Sequence, residues 1–329
     1  MNQLIASFPE QLKEAMEIGK KANIKQHDKE IRNVVVSGLG GSGIGGSLVA
    51  AICADQLKVP FIVNKGYTCP EFIDEHSLVI ISSYSGNTEE TLNVLKEVLK
   101  KNAKMVCVSS GGKVIEQAHT HQKDFIQIPG GKPPRACLGY SFVQQLYILK
   151  ALNLINGDFE QQLLDGIHLL EQEKSFIHTE AGNLANHLNG KIPVLYIEDR
   201  MEAIAIRWRQ QINENSKMLS WHHVVPEMNH NELVGWRNEN QDLAVIFLRN
   251  SDDFNRNKQR MDLNMKLMHQ YTSSVFEVFS KGSSFIEKAL FLINVGDWLS
   301  VYLASNSEMD AVEVKVIDKL KSSLAEMEW

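Results

Sequence analysis

The sequence predicts an α/β protein built from two tandem αβα sandwiches with parallel sheets. Short apolar runs alternate with longer helical patterns along the chain, and this alternation is typical of parallel βαβ units. Some of the runs, such as VVV and LVII, are continuously apolar, as expected for strands covered on both faces. A length of 329 residues suggests two domains.

The first half of the chain is predicted to hold one complete sheet with its helices. An amphipathic helix opens the chain over residues 10–24. Apolar runs predict strands at residues 33–37, 60–64, 78–82, 104–109 and 124–128. Helical patterns separate them near residues 44–54, 88–101 and 112–119.

The second half repeats the same alternation. Strands are predicted at residues 193–197, 243–248 and 274–278, with helices starting near Glu202, Asp253 and Phe285. The segment 156–162 is polar and has the weakest apolar periodicity, so we place the domain boundary there. The expected domains are therefore 1–155 and 156–329.

Composition excludes several classes of function. Lys and Arg number 34 against 40 Asp and Glu, a formal net charge of -6, so the concentrated basic surface that nucleic acid requires is not expected. The most hydrophobic long stretch, residues 285–304, contains Glu287, Lys288 and Asp297. These charges are costly in lipid, so a buried helix is expected there and no membrane role.

The N-terminus and the cysteines indicate a cytoplasmic protein. No basic segment followed by a long apolar stretch opens the chain, so we expect no secretory signal. The cysteines are too few and too widely spaced for a disulfide framework, and none forms a C-x-x-C pair. We interpret them as reduced thiols: Cys53, Cys69, Cys107 and Cys137.

A glycine-rich turn follows the first predicted strand. Residues 38–43 read GLGGSG and precede a helix, a pattern that favours a phosphate near the helix N-terminus. A nicotinamide dinucleotide would also require an acidic residue at the end of the second strand, where Asn64 and Lys65 stand. A smaller phosphorylated ligand therefore fits better. The alternative is that the glycines only allow close packing of strand and helix.

A hydroxyl-rich loop follows the third predicted strand. Residues 82–91 read SSYSGNTEET, which brings Ser83, Ser85 and Thr88 to a helix start. Hydroxyls can donate hydrogen bonds to phosphate oxygens, and the helix dipole favours an anion at that end. The alternative is that Asn87 or Thr88 simply caps the helix.

Together, these two segments resemble a sugar isomerase (SIS) domain, whose serine- and threonine-rich loop holds the phosphate of a phosphosugar. Four further segments are similar to those of the bifunctional phosphoglucose/phosphomannose isomerases: SSGG at 109–112, PGGKPPRA at 129–136, NENSK at 213–217 and PEMNHNE at 226–232. The resemblance extends from about Val34 to the C-terminus.

The resemblance implies two SIS-type sandwiches and a homodimer. It also implies cofactor-free interconversion of glucose 6-phosphate or mannose 6-phosphate with fructose 6-phosphate. The expected contacts of this hexose 6-phosphate are Gly41, Ser42, Ser83, Ser85 and Thr88.

Aldose–ketose isomerisation needs a carboxylate to move a proton between C1 and C2, and a cation for the enediolate. The resemblance implies that Glu214 is this base and that Arg135 stabilises the enediolate. It assigns ring opening to His230, supplied by the other subunit, and to Lys321 of the C-terminal helix, with Lys319 as the alternative.

Three other functions compete with this interpretation. Residues 221–232 hold several histidines and glutamates, but Pro226 interrupts any helix there and no HExxH spacing occurs, so no metal is expected. A SIS-type protein can also bind a phosphosugar for regulation without catalysis. The third alternative is a transferase or lyase of the same fold that acts on an amino sugar phosphate.

Overall fold

Two parallel sheets organise the structure, a computed structural model that describes residues 1–327. The chain divides into two units. The first-sheet unit consists of Gln3–Lys174 and Ser280–Phe291. The second-sheet unit consists of Met1–Asn2, Ser175–Phe279 and the chain from Leu292 onward. The prediction of an α/β protein with parallel sheets is confirmed.

The first sheet has five parallel strands in the order β2-β1-β3-β4-β5. Its strands are β1 (Asn33–Ser37), β2 (Phe61–Asn64), β3 (Ser77–Ser82), β4 (Lys104–Ser109) and β5 (Asp124–Gln127). The three central strands are almost wholly buried, which explains their continuous apolar runs. All five strands were predicted from the sequence to within one residue.

The helices of this part of the chain are α1 (Asn2–Ala6), α2 (Phe8–Lys21), α3 (Gly40–Cys53), α4 (Glu89–Val98), α5 (Gly112–Thr120), α6 (Leu138–Ala151) and α7 (Phe159–Gln172). The opening helix α2 begins with Pro9 in its first turn, where a missing N–H costs nothing. Helices α1 and α7 were not predicted, and neither was α6. It is buried on almost every side, and a helix that is apolar all round gives no periodic signal.

The second sheet has four parallel strands in the order β7-β6-β8-β9. They are β6 (Ile192–Glu198), β7 (Trp221–Val225), β8 (Leu243–Arg249) and β9 (Val275–Phe279). Strand β7 was not predicted, because this edge strand carries two half-buried histidines instead of an apolar run. The remaining helices are α8 (Lys174–Leu188), α9 (Glu202–Ser216), α10 (Asn255–Met268), α11 (Phe285–Asn306) and α12 (Lys315–Ala325).

The hydrophobic stretch expected to form a buried helix is α11. No helix of the described chain is both long enough and apolar enough to cross a membrane. The Asp297 carboxylate of α11 is buried and accepts hydrogen bonds from Arg207 at 3.1 and 2.9 Å and from Gln211 at 2.9 Å. A buried charge is tolerated when it is paired and hydrogen-bonded in this way.

Candidate active site

The glycine-rich turn and the serine loop meet at the carboxyl edge of the first sheet. They follow β1 and β3, which are neighbours in the sheet and parallel, so both loops leave the same edge. A Cβ on Gly38 would lie 2.6 Å from the Ser82 carbonyl oxygen. Only glycine fits at that distance. The Tyr84 amide donates to Ser42 Oγ at 3.2 Å, which joins the two loops. We call them the phosphate loops after the role that the sequence predicts for them.

The hydroxyls of the serine loop do not cap helix α4. Ser83 Oγ lies 2.9 Å from Thr88 Oγ1, and α4 has no side-chain hydrogen bond at its N-cap. The Asn87 side-chain oxygen instead accepts from the Lys113 amide at 3.1 Å. Thr88 therefore occupies the N-cap position of α4 without making a side-chain capping hydrogen bond. Ser85 is exposed and Thr88 is half-buried, so these hydroxyls lie at the surface beside the helix N-terminus.

The turn that carries Arg135 packs against the glycine-rich turn. Residues Pro134–Ala136 form a 3-10 turn. A Cβ added to Gly41 would lie 2.9 Å from the Pro134 carbonyl oxygen and 3.8 Å from the Arg135 Cα. The first-sheet unit therefore brings Arg135 together with the phosphate loops. The guanidinium is not a surface group, because Arg135 is only 5% exposed.

Glu214 lies near the end of α9, where its neighbours fasten the helix. Asn215 Nδ2 donates to Ser300 Oγ at 2.9 Å and Ser216 Oγ donates to the Ser300 carbonyl at 2.7 Å. Lys217 ends the helix in the left-handed region with φ 57°, and its Nζ donates to the Glu214 carbonyl at 2.6 Å. The NENSK side chains around Glu214 thus hold the backbone in place.

Glu214 lines a cleft of about 480 Å³ between the end of α9 and the start of α12. We call it the α9–α12 cleft. Its lining consists of Asn213, Glu214, Lys217, Met218, Leu219, Glu313, Val314, Lys315, Val316 and Ile317. Lys217 Nζ and Glu313 Oε1 are 3.9 Å apart across it. A half-buried carboxylate in a mostly apolar cleft is suited to proton transfer.

His230 is exposed at the end of a short 3-10 turn, Glu227–His230. The backbone on either side of it is anchored. Met228 is fully buried, Asn229 Nδ2 donates to Asn264 Oδ1 at 2.8 Å, and Tyr196 Oη donates to Glu232 Oε1 at 2.5 Å. His230 does not line the α9–α12 cleft as the described residues form it.

Lys321 and Lys319 both lie on α12, which buries none of its residues within the described chain. The segment 317–324, which resembles the C-terminal family helix, is helical as expected. Neither lysine is part of the cleft lining formed by the described residues. The ring-opening role of Lys321 stays a prediction.

The sequence reasoning missed two groups of residues. Tyr84, in the serine loop, contacts segments far away along the chain, and a loop tyrosine gives no sequence signal for this. At the carboxyl edge of the second sheet, the Asp253 and Glu198 carboxyls are buried close to each other. Burial, with a further contribution from the neighbouring Glu198 carboxyl, raises the pKa of Asp253 to about 7 against the lowering by the Asn250 amide.

No group of three or more His, Cys, Asp and Glu side chains within residues 1–327 is arranged to hold a metal ion. The histidines of β7 and of the following turn are therefore not gathered into one cluster. Burial lowers the pKa of His222, with Glu202 Oε1 3.4 Å from its Nε2.

Comparison with known proteins places both units in described families. Residues 29–152 match the SIS domain and residues 177–324 match the bacterial phospho-glucose isomerase C-terminal SIS domain. A bifunctional phosphoglucose/phosphomannose isomerase from Caldicellulosiruptor bescii is 39% identical over 99% of both chains. One from Aquifex aeolicus is 35% identical over 89% of this chain and 90% of the relative.

The fold has solved counterparts as well. The crystal structure of a hypothetical protein from Thermus thermophilus superposes with a TM-score of 0.77 at 16% sequence identity. The superposition covers 98% of this chain and 90% of that one. At this level of identity the likeness concerns the fold alone.

Proposed function

Because the chain belongs to the bifunctional phosphoglucose/phosphomannose isomerase family and is an aldose–ketose isomerase, we propose how its residues interconvert glucose 6-phosphate or mannose 6-phosphate with fructose 6-phosphate. The proton moves through an enediolate without a metal ion. The observation that carries the proposal is the helix end at Glu214, where neighbouring side chains fasten the backbone and the carboxylate lines a cleft.

The phosphate of the hexose is proposed to bind at the phosphate loops. Ser85 and Thr88 offer hydroxyl donors beside the N-terminus of α4, which has no side-chain cap. Unpaired amides and the dipole at a helix start favour an anion. The side chain of Ser42 and the backbone of Gly41 complete the contacts. This supports binding of a 6-phosphate group instead of a dinucleotide.

Glu214 is proposed to take the proton from C2 of the aldose and to return it to C1. The hydroxyl proton of O2 passes to O1, so the ketose forms without loss or gain of atoms. Glucose and mannose 6-phosphate differ only in configuration at C2. Removal of the C2 proton from either sugar gives the same enediolate, so one carboxylate can serve both epimers.

Arg135 is proposed to stabilise the negative charge of the enediolate. A guanidinium stays protonated throughout the physiological pH range. Because Arg135 is 5% exposed, the charge is fixed and shielded from water, where its interaction with an oxyanion is stronger. The role requires a cation that is held in place before the charge develops.

His230 and Lys321 are proposed to open the sugar ring, with His230 acting in the site of the partner subunit of a homodimer. The exposure of His230 and its absence from the lining of the α9–α12 cleft, as the described residues form it, support this arrangement. A mixture of Glu214→Gln and His230→Ala protomers should recover activity that neither variant has alone. No recovery after subunit exchange would contradict the shared site.

The protein is proposed to work in the cytoplasm, where its four cysteines, all free in the described chain, would stay reduced. The direct test of function is a coupled assay that detects fructose 6-phosphate from glucose or mannose 6-phosphate, with and without EDTA. Turnover of both sugars that is insensitive to EDTA is the expected result. Binding of both sugars without turnover would favour a regulatory phosphosugar-binding protein.

A further inference from the structure

Tyr84 connects three loops at the carboxyl edge of the first sheet. Its amide donates to Ser42 Oγ at 3.2 Å, in the glycine-rich turn. Its carbonyl accepts from Ser110, at 3.1 Å from the amide and 2.7 Å from the hydroxyl. The backbone of Tyr84 is therefore fixed between the loops that follow β1 and β4.

The hydroxyl of Tyr84 reaches a fourth segment, the one that carries Arg135. It accepts a hydrogen bond from the Lys132 amide at 3.1 Å and is hydrogen-bonded to the Cys137 side chain. Lys132 precedes Arg135 in the chain and Cys137 follows it. The Tyr84 hydroxyl oxygen therefore contacts both ends of the turn that carries Arg135.

The hydrogen bond between Tyr84 and Lys132 matters because the turn that carries Arg135 has few free backbone donors. Pro133 and Pro134 have no amide hydrogen, so the Lys132 amide is the last backbone donor before two residues that cannot donate. The amides of Ala136 and Cys137 are used inside the turn, where they donate to the Pro133 and Pro134 carbonyls at 2.9 and 3.0 Å. The opposite side of the turn is held by Gln11, whose Nε2 donates to the Ala136 carbonyl at 2.7 Å.

We propose that Tyr84 is a positioning residue for Arg135: its hydroxyl fixes the turn that carries the cation relative to the loops that bind phosphate. The inference rests on the proposed roles of Arg135 and of the phosphate loops. A cation displaced by a fraction of an ångström still attracts the substrate, but it stabilises the enediolate less. Loss of the Tyr84 hydroxyl should therefore lower kcat and leave the affinity for phosphate unchanged.

The first experiment replaces Tyr84 by Phe, which keeps the ring and the backbone contacts and removes the hydroxyl. We expect kcat for glucose 6-phosphate to fall by about ten-fold, within the range caused by small misplacements of catalytic groups. KM and the Kd for inorganic phosphate should change by less than about two-fold, which is the size of a weak or screened contact. Equal losses in kcat and in phosphate affinity would overturn the proposal.

Tyr140→Phe is the matched control. Tyr140 is buried nearby, its ring lies 5.5 Å from Lys132 Nζ, and its hydroxyl donates to Glu14 instead of the turn. The variant loses a tyrosine hydroxyl of the same kind while the ring stays beside Lys132. We expect its kcat to stay within about two-fold of the unaltered protein. If kcat fell as much in Tyr140→Phe as in Tyr84→Phe, the loss would reflect disturbed packing in this region, and the proposal would be overturned.

A double-mutant cycle separates this inference from the function on which it rests. In an Arg135→Gln background, Tyr84→Phe should lower the residual rate no further, with deuterium exchange at C2 as a sensitive readout. A full additional loss would show that Tyr84 acts independently of Arg135, and would overturn the inference alone. An unchanged kcat for Arg135→Gln itself would remove the proposed role of Arg135 and the inference together.

Discussion

Both sheets have a carboxyl edge, where their parallel strands end, but the two edges carry different kinds of side chain. The edge of the first sheet carries glycines and hydroxyls, with Ser83 and Thr88 in contact at 2.9 Å. The edge of the second sheet carries Glu198 at the end of β6 and Asp253 after β8, two neighbouring buried carboxyls. The first edge fits an anion, and the second repels one.

The carboxyls of the second edge accept hydrogen bonds from the protein itself. Glu198 Oε1 accepts from the Phe254 amide at 2.7 Å and from Asn257 Nδ2 at 2.9 Å, and Asp253 Oδ2 accepts from the Asn250 amide at 2.9 Å. The donors that would otherwise serve a ligand are thus used by the protein. A repeated fold therefore does not repeat the site. The second-sheet unit instead offers Glu214 from the end of a helix.

The largest expected effect of a single substitution in this comparison is that of Gly86→Ala in the serine loop. Gly86 has φ +70°, and a Cβ there would lie 1.8 Å from the Gly111 carbonyl oxygen. An alanine in this left-handed conformation would be strained, and its Cβ would overlap the Gly111 carbonyl. Together these effects should lower folding stability by about 3 kcal/mol. Thermal unfolding and titration with inorganic phosphate measure the losses in stability and binding.

Gly190→Ala is the control, before the first strand of the second sheet. Gly190 has φ +74° with no atom within 4 Å of the added Cβ. Only the strain of the left-handed backbone applies here. We therefore expect a loss of about 1 kcal/mol in folding stability and unchanged phosphate binding. Similar losses in the two variants would show that the serine loop lacks this steric constraint.

The next effect concerns the hydroxyls at the first edge. Ser85→Ala combined with Thr88→Ala should weaken the binding of 6-phosphorylated sugars about 100-fold, because hydrogen bonds to a charged group contribute about 1.5 to 3 kcal/mol each. The melting temperature should change little. Ser251→Ala, which removes an exposed hydroxyl at the second edge, should leave binding unchanged. Equal damage to stability and to affinity would indicate a structural role for these hydroxyls.

The last effect concerns the two buried carboxyls of the second edge and is tested by its pH dependence. The pKa of Asp253 is about 7 in the folded protein and about 3.9 in an unfolded chain. The folded state therefore holds the extra proton between these values, and stability falls as the pH rises through this window, by at most about 1.4 kcal/mol per pH unit. Arg249 favours the ionised form and so opposes the rise in the pKa of Asp253.

Asp253→Asn should remove this slope, so its stability relative to the unaltered protein should be greater at pH 8 than at pH 5. Unfolding by urea at both pH values measures the difference. Asp252→Asn changes the neighbouring exposed carboxyl and should leave the slope as it is. A slope that persists in Asp253→Asn would show that another group titrates in this window.

The same comparison explains what the sequence could predict. The strands of the first sheet are local apolar patterns, so they were predicted almost residue by residue. That the two loops after β1 and β3 bind phosphate stays a prediction. The helix α6 and the edge strand β7 were missed, because the first is buried all round and the second has too few apolar residues for a strand pattern.

The contacts that complete each edge depend on residues far apart in the chain. Tyr84 meets Lys132 across 48 positions, and the α9–α12 cleft joins residues 213–219 to residues 313–317. Glu198 and Asp253 likewise follow different strands. Such pairs are set by tertiary packing, which no local pattern encodes. The role of Glu214 was reached only through the resemblance of its NENSK frame.

The most direct measurement of the central claim is the turnover of Glu214→Gln with glucose 6-phosphate and with mannose 6-phosphate, alongside its affinity for inorganic phosphate. The amide keeps the size of the side chain and cannot accept the proton from C2. We predict that turnover of both sugars falls by at least about 100-fold, the contribution of a positioned general base, with phosphate affinity unchanged. Turnover of either sugar within a few-fold of the unaltered protein would contradict the account.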